Sequence, residues 1–421
     1  MPLELPDSTL ALLREGYTWI QGQCERHGSD VFRARLAGRE VICMRGAEAA
    51  RLFYDPARFQ RAGAAPKRIQ KSLFGERGVQ TLDGQAHAHR KAMFMSLMTP
   101  EGIDHLVNLH ERNWHAAITD WETREQVVLS DEAQEILCKA VCAWAGVPLD
   151  AAEARERATQ LGHMVDAFGA LGPRHWRGRV ARKRTEAWIE DFVHAVRSGE
   201  LPVAELPGGI VALHRGPDGR LLEPRVAAVE ILNLLRPTVA IATYVAFAAL
   251  ALHEFPGVRR RLPSGNGKYL RWFVQEVRRY YPFGPFLGAR VRQAFEWRGH
   301  EFSEGLLVLL DIYGTNHDAR LWPDPDAFRP ERFRDRQGGA YDCIPQGGGE
   351  HYAGHRCAGE WLTIALLGSA VRQLTGAMSY QVPEQRLAYS LRRMPTRPPS
   401  GFVITNVRAT RRPAARSIAA R

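Results

Sequence analysis

Apolar side chains recur at three- and four-residue spacing along most of the chain, which is the pattern of helices with one buried face. The pattern predicts six helices, over residues 102–119, 131–146, 153–167, 178–197, 224–255 and 268–281. Strand-like alternation is confined to short segments near 31–44 and 380–405 and to a predicted hairpin over 296–314 that turns at Ser303 to Gly305. The expected fold class is mainly α with small β-sheets.

The longest apolar segment, residues 226–252, is long enough to cross a bilayer, since about 20 apolar residues suffice. Its longest stretch without a charged residue, Pro237 to Leu252, has only sixteen residues. Glu230, Asn233 and Arg236 interrupt the remainder. We therefore predict a buried central helix and no membrane span.

Length, composition and charge favour one large soluble domain. The 421 residues are 45% hydrophobic, and no linker-like tract divides them. We predict one domain over 1–408 and a basic flexible tail over 409–421. The net charge is +11, but the arginines are spread along the chain beside acidic residues, so we predict a solvated surface and no nucleic-acid partner. The N-terminus shows no signal peptide, and the expected location is cytoplasmic.

The six cysteines lack the spacing of a disulfide framework or a zinc site, so we expect reduced thiols. Cys138 and Cys142 are four residues apart on one helical face and are expected to pack in the core. Cys357 differs, because it lies in QGGGEHYAGHRCAGE (346–360), a stretch too rich in glycine for a helix interior. The backbone there is expected to bend around, or closely approach, another group.

A second unusual feature is Arg236, which directly precedes Pro237 within the predicted central helix. Proline in a helix interior costs about 3 kcal/mol, because it removes a hydrogen bond and clashes one turn back. A buried arginine is also unfavourable unless an anion meets it. Glu230 lies about 120° round the helix from Arg236 and is poorly placed to pair with it. Two interpretations stay open: an ion pair with an acid from elsewhere in the chain, or a guanidinium that holds a ligand carboxylate.

Further motifs occur in a fixed order: Glu276 and Arg279 three residues apart, the sequence PERF at 330–333, and then the glycine-rich cysteine stretch. In this order they resemble the cytochrome P-450 haem-thiolate superfamily. More narrowly, LLRPTVAIATY, EVRRYYPFGPF, YGTNHD and IPQGGGEHYAGHRCAGE resemble the bacterial fatty-acid peroxygenase branch, over about residues 8–408. The superfamily's usual phenylalanine seven residues before the cysteine is Glu350 here, where this branch has a glycine-rich loop. The resemblance implies a P-450 fold around a buried haem b.

The resemblance also implies roles for particular residues. Cys357 is the implied axial thiolate of the haem iron, and Glu276, Arg279 and Arg332 are implied to stabilise the fold. The basic residues at positions that meet the haem propionates are Arg61, His87, Lys91 and Arg356. The aromatic residues at positions that line the acyl tunnel, with core packing as the alternative, are Phe74, Phe168, Phe283 and Phe286.

The implied activity is hydrogen-peroxide-dependent hydroxylation of a long-chain fatty acid at the α or β carbon. Oxygen-activating members of the superfamily carry an acid–alcohol pair where this chain has Arg236 and Pro237. A fatty-acid carboxylate held by Arg236 would then act as the general acid–base group, and no obligatory redox partner is expected. Gln80 matches a position where an alkene-forming member has histidine. A neutral amide cannot donate a proton as an imidazolium does, which favours hydroxylation over decarboxylation.

Four alternatives stay open at this point. They are a peroxide-driven decarboxylase that gives terminal alkenes, a reductase-dependent monooxygenase, a haem-binding sensor without turnover, and a basic nucleic-acid-binding protein. Arg236 argues against the sensor, since a gas sensor has no evident need for a strained cation over the iron. Steeply salt-dependent DNA binding would indicate the last.

Overall fold

The computed structural model describes residues 6–262, 267–336 and 339–410. Its helices are α1 Thr9–Glu15, α2 Trp19–His27, α3 Ala47–Phe53, α4 Lys67–Ile69, α5 Gly84–Leu97, α6 Pro100–Trp121, α7 Leu129–Ala145, α8 Ala154–Asp166, α9 Pro173–Ser198, α10 Pro207–Ala212, α11 Pro224–Ala240, α12 Ala242–Glu254, α13 Pro256–Arg261, α14 Gly267–Tyr280, α15 Ile312–Asn316 and α16 Glu360–Arg372. Its strands are β1 Val31–Leu36, β2 Arg39–Met44, β3 Phe59–Gln60, β4 Gln126–Val128, β5 Phe286–Val291, β6 Phe295–Trp297, β7 His300–Phe302, β8 Leu307–Asp311, β9 Met378–Gln381 and β10 Val403–Ala409. From residue 411 onward the predicted basic tail lies outside the described residues.

Each segment predicted to be helical is helical, but the one predicted over 224–255 forms two helices. α11 and α12 are separated at Ile241, four residues after Pro237. The backbone N–H of Ile241 donates to the carbonyl of Thr238 at 3.1 Å, a bond that reaches back three residues instead of four. Pro237 also lacks the donor for a bond to Asn233, so the helical ladder is weakened in the turn just before this break.

α11 and α12 form the centre of the helical core. α11 packs against α7, α8 and α9, and α12 packs against α7, α14 and α16. Among the described residues, this helical segment is the one long and apolar enough to cross a membrane, and 89% of its most apolar window is buried inside the protein. The prediction of a buried central helix is confirmed.

The strands form three small sheets. The largest has the order β1-β2-β8-β5-β3, and the others are β4-β10-β9 and β6-β7. β1 and β2 are antiparallel, with Val31 opposite Met44, as the pattern over 31–44 predicts. The predicted strand region over 380–405 contains only the ends of β9 and β10, joined by a long irregular segment.

The hairpin predicted over 296–314 exists, but the prediction of its turn at Ser303 to Gly305 is wrong. β6 pairs with β7 across Arg298 and Gly299, whose φ angles are +51° and +72°, and such paired positive angles suit a tight hairpin turn. β8 lies instead between β2 and β5 in the largest sheet. Its apolar sequence, LVLLD, is buried from both faces there, so it belongs to a sheet interior and not to an exposed hairpin.

The implied stabilising group is formed. Glu276 accepts from Arg279 at 2.8 Å through both carboxylate oxygens, and from Nε of Arg332 at 3.0 Å. All three side chains are buried or nearly so, so this group ties α14 to the segment at 330–333. Every cysteine is a free thiol, and Cys138 and Cys142 are fully buried in α7, as predicted.

Candidate active site

Cys357 lies just before α16, at the end of the glycine-rich stretch. Gln346 contacts it twice: its carbonyl accepts from the Cys357 N–H at 3.2 Å, and its Nε2 donates to Sγ at 3.7 Å. Gln346 is itself oriented by Nε of Arg278 at 3.2 Å and by Oγ1 of Thr363 at 3.0 Å. The sulfur is therefore held in one place by a fixed amide, a contact that the sequence analysis missed.

The glycines of this stretch are required by the turn. Gly347 and Gly349 have φ angles of +89° and +85°, which favour glycine. A Cβ on Gly348 would lie 2.6 Å from the carbonyl oxygen of Ala340, so no larger side chain fits. The prediction that the backbone bends sharply ahead of Cys357 is confirmed.

The environment of the Cys357 thiol sets its protonation. Burial raises the pKa of Cys357, and the Glu360 carboxylate raises it further. The Gly359 N–H and the positive charge of Lys91 act in the opposite direction. A metal ion that binds this sulfur as a thiolate would therefore have to displace a proton.

Two of the four predicted propionate contacts are buried cations. Arg61 lies with its guanidinium carbon 4.2 Å from the centre of the Phe53 ring, and burial lowers its pKa. Lys91, on α5, donates from Nζ to the carbonyl of Arg356, and burial lowers its pKa also. Within the described residues neither side chain forms an ion pair with a carboxylate.

The other two predicted contacts differ from these cations. His87 stacks on His355 with ring centres 3.8 Å apart, and burial together with the neighbouring positive charges lowers the pKa of His87 to about 3. His87 is therefore a neutral donor. Arg356 donates from Nε to Glu360 at 2.6 Å, so it already has a carboxylate partner. His355, which lies 3.5 Å from Asp83, is a basic neighbour that the sequence analysis did not single out.

This donor set fits a haem. Buried cations are unfavourable without anions, and the described residues leave Arg61 and Lys91 without carboxylate partners. The two propionates of haem b would supply that charge, and Cys357 would supply a thiolate ligand to its iron. Arg61, His87 and Lys91 suit this role better than Arg356 does.

Arg236 is 8% exposed and lies on α11. Its Nη2 donates to Oδ1 of Asn233 at 3.2 Å, its Nε has no hydrogen-bond partner, and its guanidinium carbon is 5.9 Å from the centre of the Phe74 ring. Burial, and then the positive charge of Arg182, lower the pKa of Arg236 to about 9. No acid in the described parts of the chain pairs with it, which favours a ligand carboxylate over an internal ion pair.

A buried polar network lies behind Arg236. Glu230 pairs with Arg90 at 2.5 Å and accepts from Nδ2 of Asn233 at 2.9 Å. The same Nδ2 lies 3.3 Å from Oε1 of Gln80, so the structure brings Gln80 and Arg236 together through Asn233. Asn233 and Arg90 were not among the site residues predicted from the sequence. The spacing of Asn233, three residues before Arg236 and so on the same helical face, could have revealed the first.

The four predicted aromatic positions are all partly buried but do not share one set of contacts. Phe74 faces Arg236, and Phe168 and Phe286 have ring centres 6.5 Å apart. Phe283 stacks on Tyr244 with ring centres 4.5 Å apart, which is core packing, the alternative weighed for it.

Comparison with known proteins gives a family match in the C-terminal half. The family model described as Cytochrome P450 matches residues 265–370, which include Glu276, Arg279 and Cys357. Rhazimal synthase from Alstonia scholaris is 28% identical over 168 residues. That match covers 34% of this chain and 34% of rhazimal synthase, so it spans about a third of that protein's length.

Solved structures match almost the full length. Cytochrome P450SP alpha (CYP152B1) in complex with (R)-ibuprofen is 48% identical, with a TM-score of 0.94 over 96% of this chain and 99% of that one. Cytochrome P450EX alpha (CYP152N1) with myristic acid is 47% identical, with a TM-score of 0.93 over 96% and 98%. A variant of cytochrome P450 OleT with arachidonic acid is 36% identical, with a TM-score of 0.93 over 96% and 97%.

Proposed function

The chain belongs to the cytochrome P450 family, in the branch of the CYP152 fatty-acid peroxygenases, and we propose that it hydroxylates long-chain fatty acids at the α or β carbon with hydrogen peroxide. Myristic acid, arachidonic acid and ibuprofen, which are bound in the three related structures, are all carboxylic acids with an apolar body. The observation that carries the proposal is Arg236, a buried guanidinium beside an aromatic ring with no carboxylate partner in the described residues. An acid with an apolar tail has the chemistry that such a site requires.

Haem b is the cofactor that the family requires. Cys357 would ligate its iron, and Arg61, His87 and Lys91 would meet its propionates. When bound, haem with a thiolate ligand supplies an iron centre that favours cleavage of the peroxide O–O bond. The Nε2 of Gln346 and the Gly359 N–H would donate towards the sulfur and temper its basicity.

The acid–base group in this proposal comes from the substrate. The one acid within α11 is Glu230, and its carboxylate is already engaged by Arg90 and Asn233. A fatty-acid carboxylate held by Arg236 would take a proton from one oxygen of hydrogen peroxide and return it to the other. Positioned acid–base catalysis of this kind contributes about 10²–10⁴-fold to rate. The substrate would therefore complete the catalytic group.

Binding at the carboxyl end would also decide where oxidation occurs. A carboxylate fixed at Arg236 keeps the second and third carbons of the chain closest to the reacting oxygen, so position follows from proximity. Gln80 would contribute a neutral amide next to Asn233, which favours hydroxylation over decarboxylation to a terminal alkene. Since the substrate supplies the proton relay and peroxide supplies the oxidant, no obligatory redox partner is expected, and a cytoplasmic location suits both substrates.

Product analysis tests the proposal. The purified holoprotein is incubated with myristic acid and H2O2, or with NADPH and an exogenous ferredoxin and reductase, and products are identified by mass spectrometry. We expect 2- or 3-hydroxymyristate with peroxide, and far less with NADPH. The matched control is 1-tetradecanol, which has the same chain without the carboxylate and should be a poor substrate. Faster turnover with NADPH would establish the reductase-dependent alternative instead.

A further inference from the structure

One surface, at the start of α9, carries exposed apolar and cationic side chains together. Leu171, Trp176 and Val180 are 57%, 61% and 52% exposed, which is unusual for large apolar residues. Exposed cations are interleaved with them along the helix. We refer to this surface as the α9 face, defined by Leu171, Trp176, Arg177, Arg179, Val180 and Lys183.

The α9 face has an excess of positive charge that the protein does not neutralise. Residues 173–185 contain six cations and no acid. The prediction that the arginines are spread along the chain beside acidic residues is therefore wrong for this segment. Three of these six, Arg174, Arg182 and Arg184, are paired with acids of α8 or α9. Arg177, Arg179 and Lys183 form no ion pair with the described residues, and the guanidinium of Arg179 lies 5.5 Å from the ring centre of Trp176.

A second basic segment adjoins this face. Lys67, Arg68 and Lys71 are exposed on α4 and on the π-helical turn that follows it. This turn packs against α9, where Nη1 of Arg182 donates to the carbonyl of Leu73 at 3.0 Å. Arg68, on α4, donates to the carbonyl of Ala170, three residues before α9 begins. The positive surface therefore continues from α9 onto α4.

We propose that the α9 face docks onto the surface of an anionic lipid membrane. Lysine and arginine are attracted to acidic headgroups, and tryptophan and aliphatic side chains enter the boundary between headgroups and acyl chains. A nucleic acid would account for the cations but not for Leu171 and Val180. The combination of both residue types on one face is the property of a lipid-surface contact.

Docking there would bring the lipid surface close to the candidate acyl-binding residues. Phe168 lies three residues before Leu171, and Phe74 ends the π-helical turn that packs on α9. Fatty acids partition into bilayers, so a protein docked by this face would receive its substrate from the membrane. This step rests on the proposed function, whereas docking itself does not.

Vesicle sedimentation of the holoprotein tests docking without any activity measurement. The probes are vesicles of phosphatidylcholine alone and vesicles with 30 mol% phosphatidylglycerol. We expect binding to the anionic vesicles only, weakened by 0.5 M NaCl because salt screens exposed charges. The triple substitution Arg177→Gln/Arg179→Gln/Lys183→Gln should weaken binding by about 100-fold, since each cation near a membrane contributes about fivefold. Leu171→Ser/Trp176→Ala should weaken it by about tenfold or more.

The matched control removes three exposed cations elsewhere, as Arg39→Gln/Arg112→Gln/Arg271→Gln, on β2, α6 and α14. It should leave vesicle binding within about twofold of the wild type. Equal losses in both triple variants would mean that net charge, and not the α9 face, causes binding. No loss with Leu171→Ser/Trp176→Ala, together with tight binding of duplex DNA, would assign the face to nucleic acid. Each of these outcomes overturns the proposal.

Activity measurements separate this inference from the proposed function. A protein that oxidises dissolved octanoate but does not bind anionic vesicles would overturn docking alone. A protein that binds these vesicles through the α9 face but oxidises no fatty acid would overturn the proposed function alone. If both hold, the two variants of the α9 face should lose turnover of vesicle-borne myristate and keep turnover of octanoate.

Discussion

Arg236 donates from Nη2 to the side-chain oxygen of Asn233, 3.2 Å away and one helical turn earlier. Asn233 donates in turn to Glu230 at 2.9 Å, so the nearest carboxylate on the helix reaches the guanidinium only through a neutral amide. This arrangement orients Arg236 without neutralising it. A ligand carboxylate would find an oriented cation in a buried site, where charge pairs are strong.

Arg236→Ala should therefore abolish most fatty-acid turnover and leave haem binding intact. Truncating one member of a buried charge pair typically costs about 2–5 kcal/mol, or roughly 30- to several-thousand-fold in kcat/KM for myristate. Arg236→Lys keeps the charge but loses bidentate geometry, so it should fall between the wild type and the alanine variant. Near-normal kcat/KM for Arg236→Ala, with haem bound, would refute the role of Arg236 as carboxylate anchor.

Cys357→Ala should abolish the red-shifted Soret band of the ferrous–CO complex, since that band requires a thiolate ligand. Cys343→Ala is the matched control. Cys343 is also buried, and burial raises its pKa to about 12, but it lies ahead of the glycine-rich stretch. The control should keep the band. Retention of the band in Cys357→Ala would show that a different cysteine is the ligand.

Gln80→His should raise the share of terminal alkene relative to hydroxy acid. Position 80 lies next to Asn233, which contacts Arg236, so an imidazolium here could donate a proton close to the bound carboxyl group. Gln80→Asn, which keeps a neutral amide, should leave the product ratio unchanged. If histidine also leaves the ratio unchanged, carboxylate placement and not this side chain decides between the two products.

Asp311→Asn should change how stability depends on pH. Asp311 is fully buried at the end of β8, and burial raises its pKa to about 7, although the Gly314 N–H donates to it at 2.8 Å. In the unfolded chain the carboxyl group ionises near pH 4, so folding takes up a proton between about pH 4 and 7. The stability contributed by the protonated form is thus present below about pH 4 and is lost as pH rises towards 7.

Asparagine stays neutral at every pH, so the variant should gain stability relative to the wild type across that window, by on the order of 2–4 kcal/mol. The measurement is the difference between the two proteins in urea midpoint at pH 5 and at pH 7.5. A difference that is the same at both values would show that Asp311 does not titrate in this range.

The helices were predictable because their signal is local. Each carries its own three- and four-residue periodicity, and burial of that face is what the core requires. The position of β8 in the sheet was not predictable, because an apolar run such as LVLLD does not indicate which strand it will join. Its neighbours are β2 and β5, and β2 is more than 260 residues earlier in the chain. Long-range pairing therefore decided the sheet, and the local turn signal at Ser303 to Gly305 was misleading.

In the candidate site, too, the residues with a local sequence signal were predictable and those joined by long-range contacts were not. Cys357 and Arg236 stood out because glycine or proline next to each is costly without a reason. The contact between Arg90 and Glu230 joins α5 to α11 across 140 residues, and no sequence pattern connects those two positions. Asn233 lies on the same helical face as Arg236, but only acids were considered as its partners from the sequence, and Asn233 is an amide.

The proton-transfer proposal predicts that the acid need not belong to the molecule that is oxidised. Heptanoate is too short to fill the acyl site, so it should bind Arg236 and supply the carboxylate while styrene occupies the remaining space. Styrene alone should be nearly inert, because no group then takes the peroxide proton, a contribution of about 10²–10⁴-fold. Heptanoate should therefore switch on styrene epoxidation in the wild type but not in Arg236→Ala. The measurement is the initial epoxidation rate of both proteins with and without the acid; equal rates in the wild type would mean that the protein carries its own proton-transfer group.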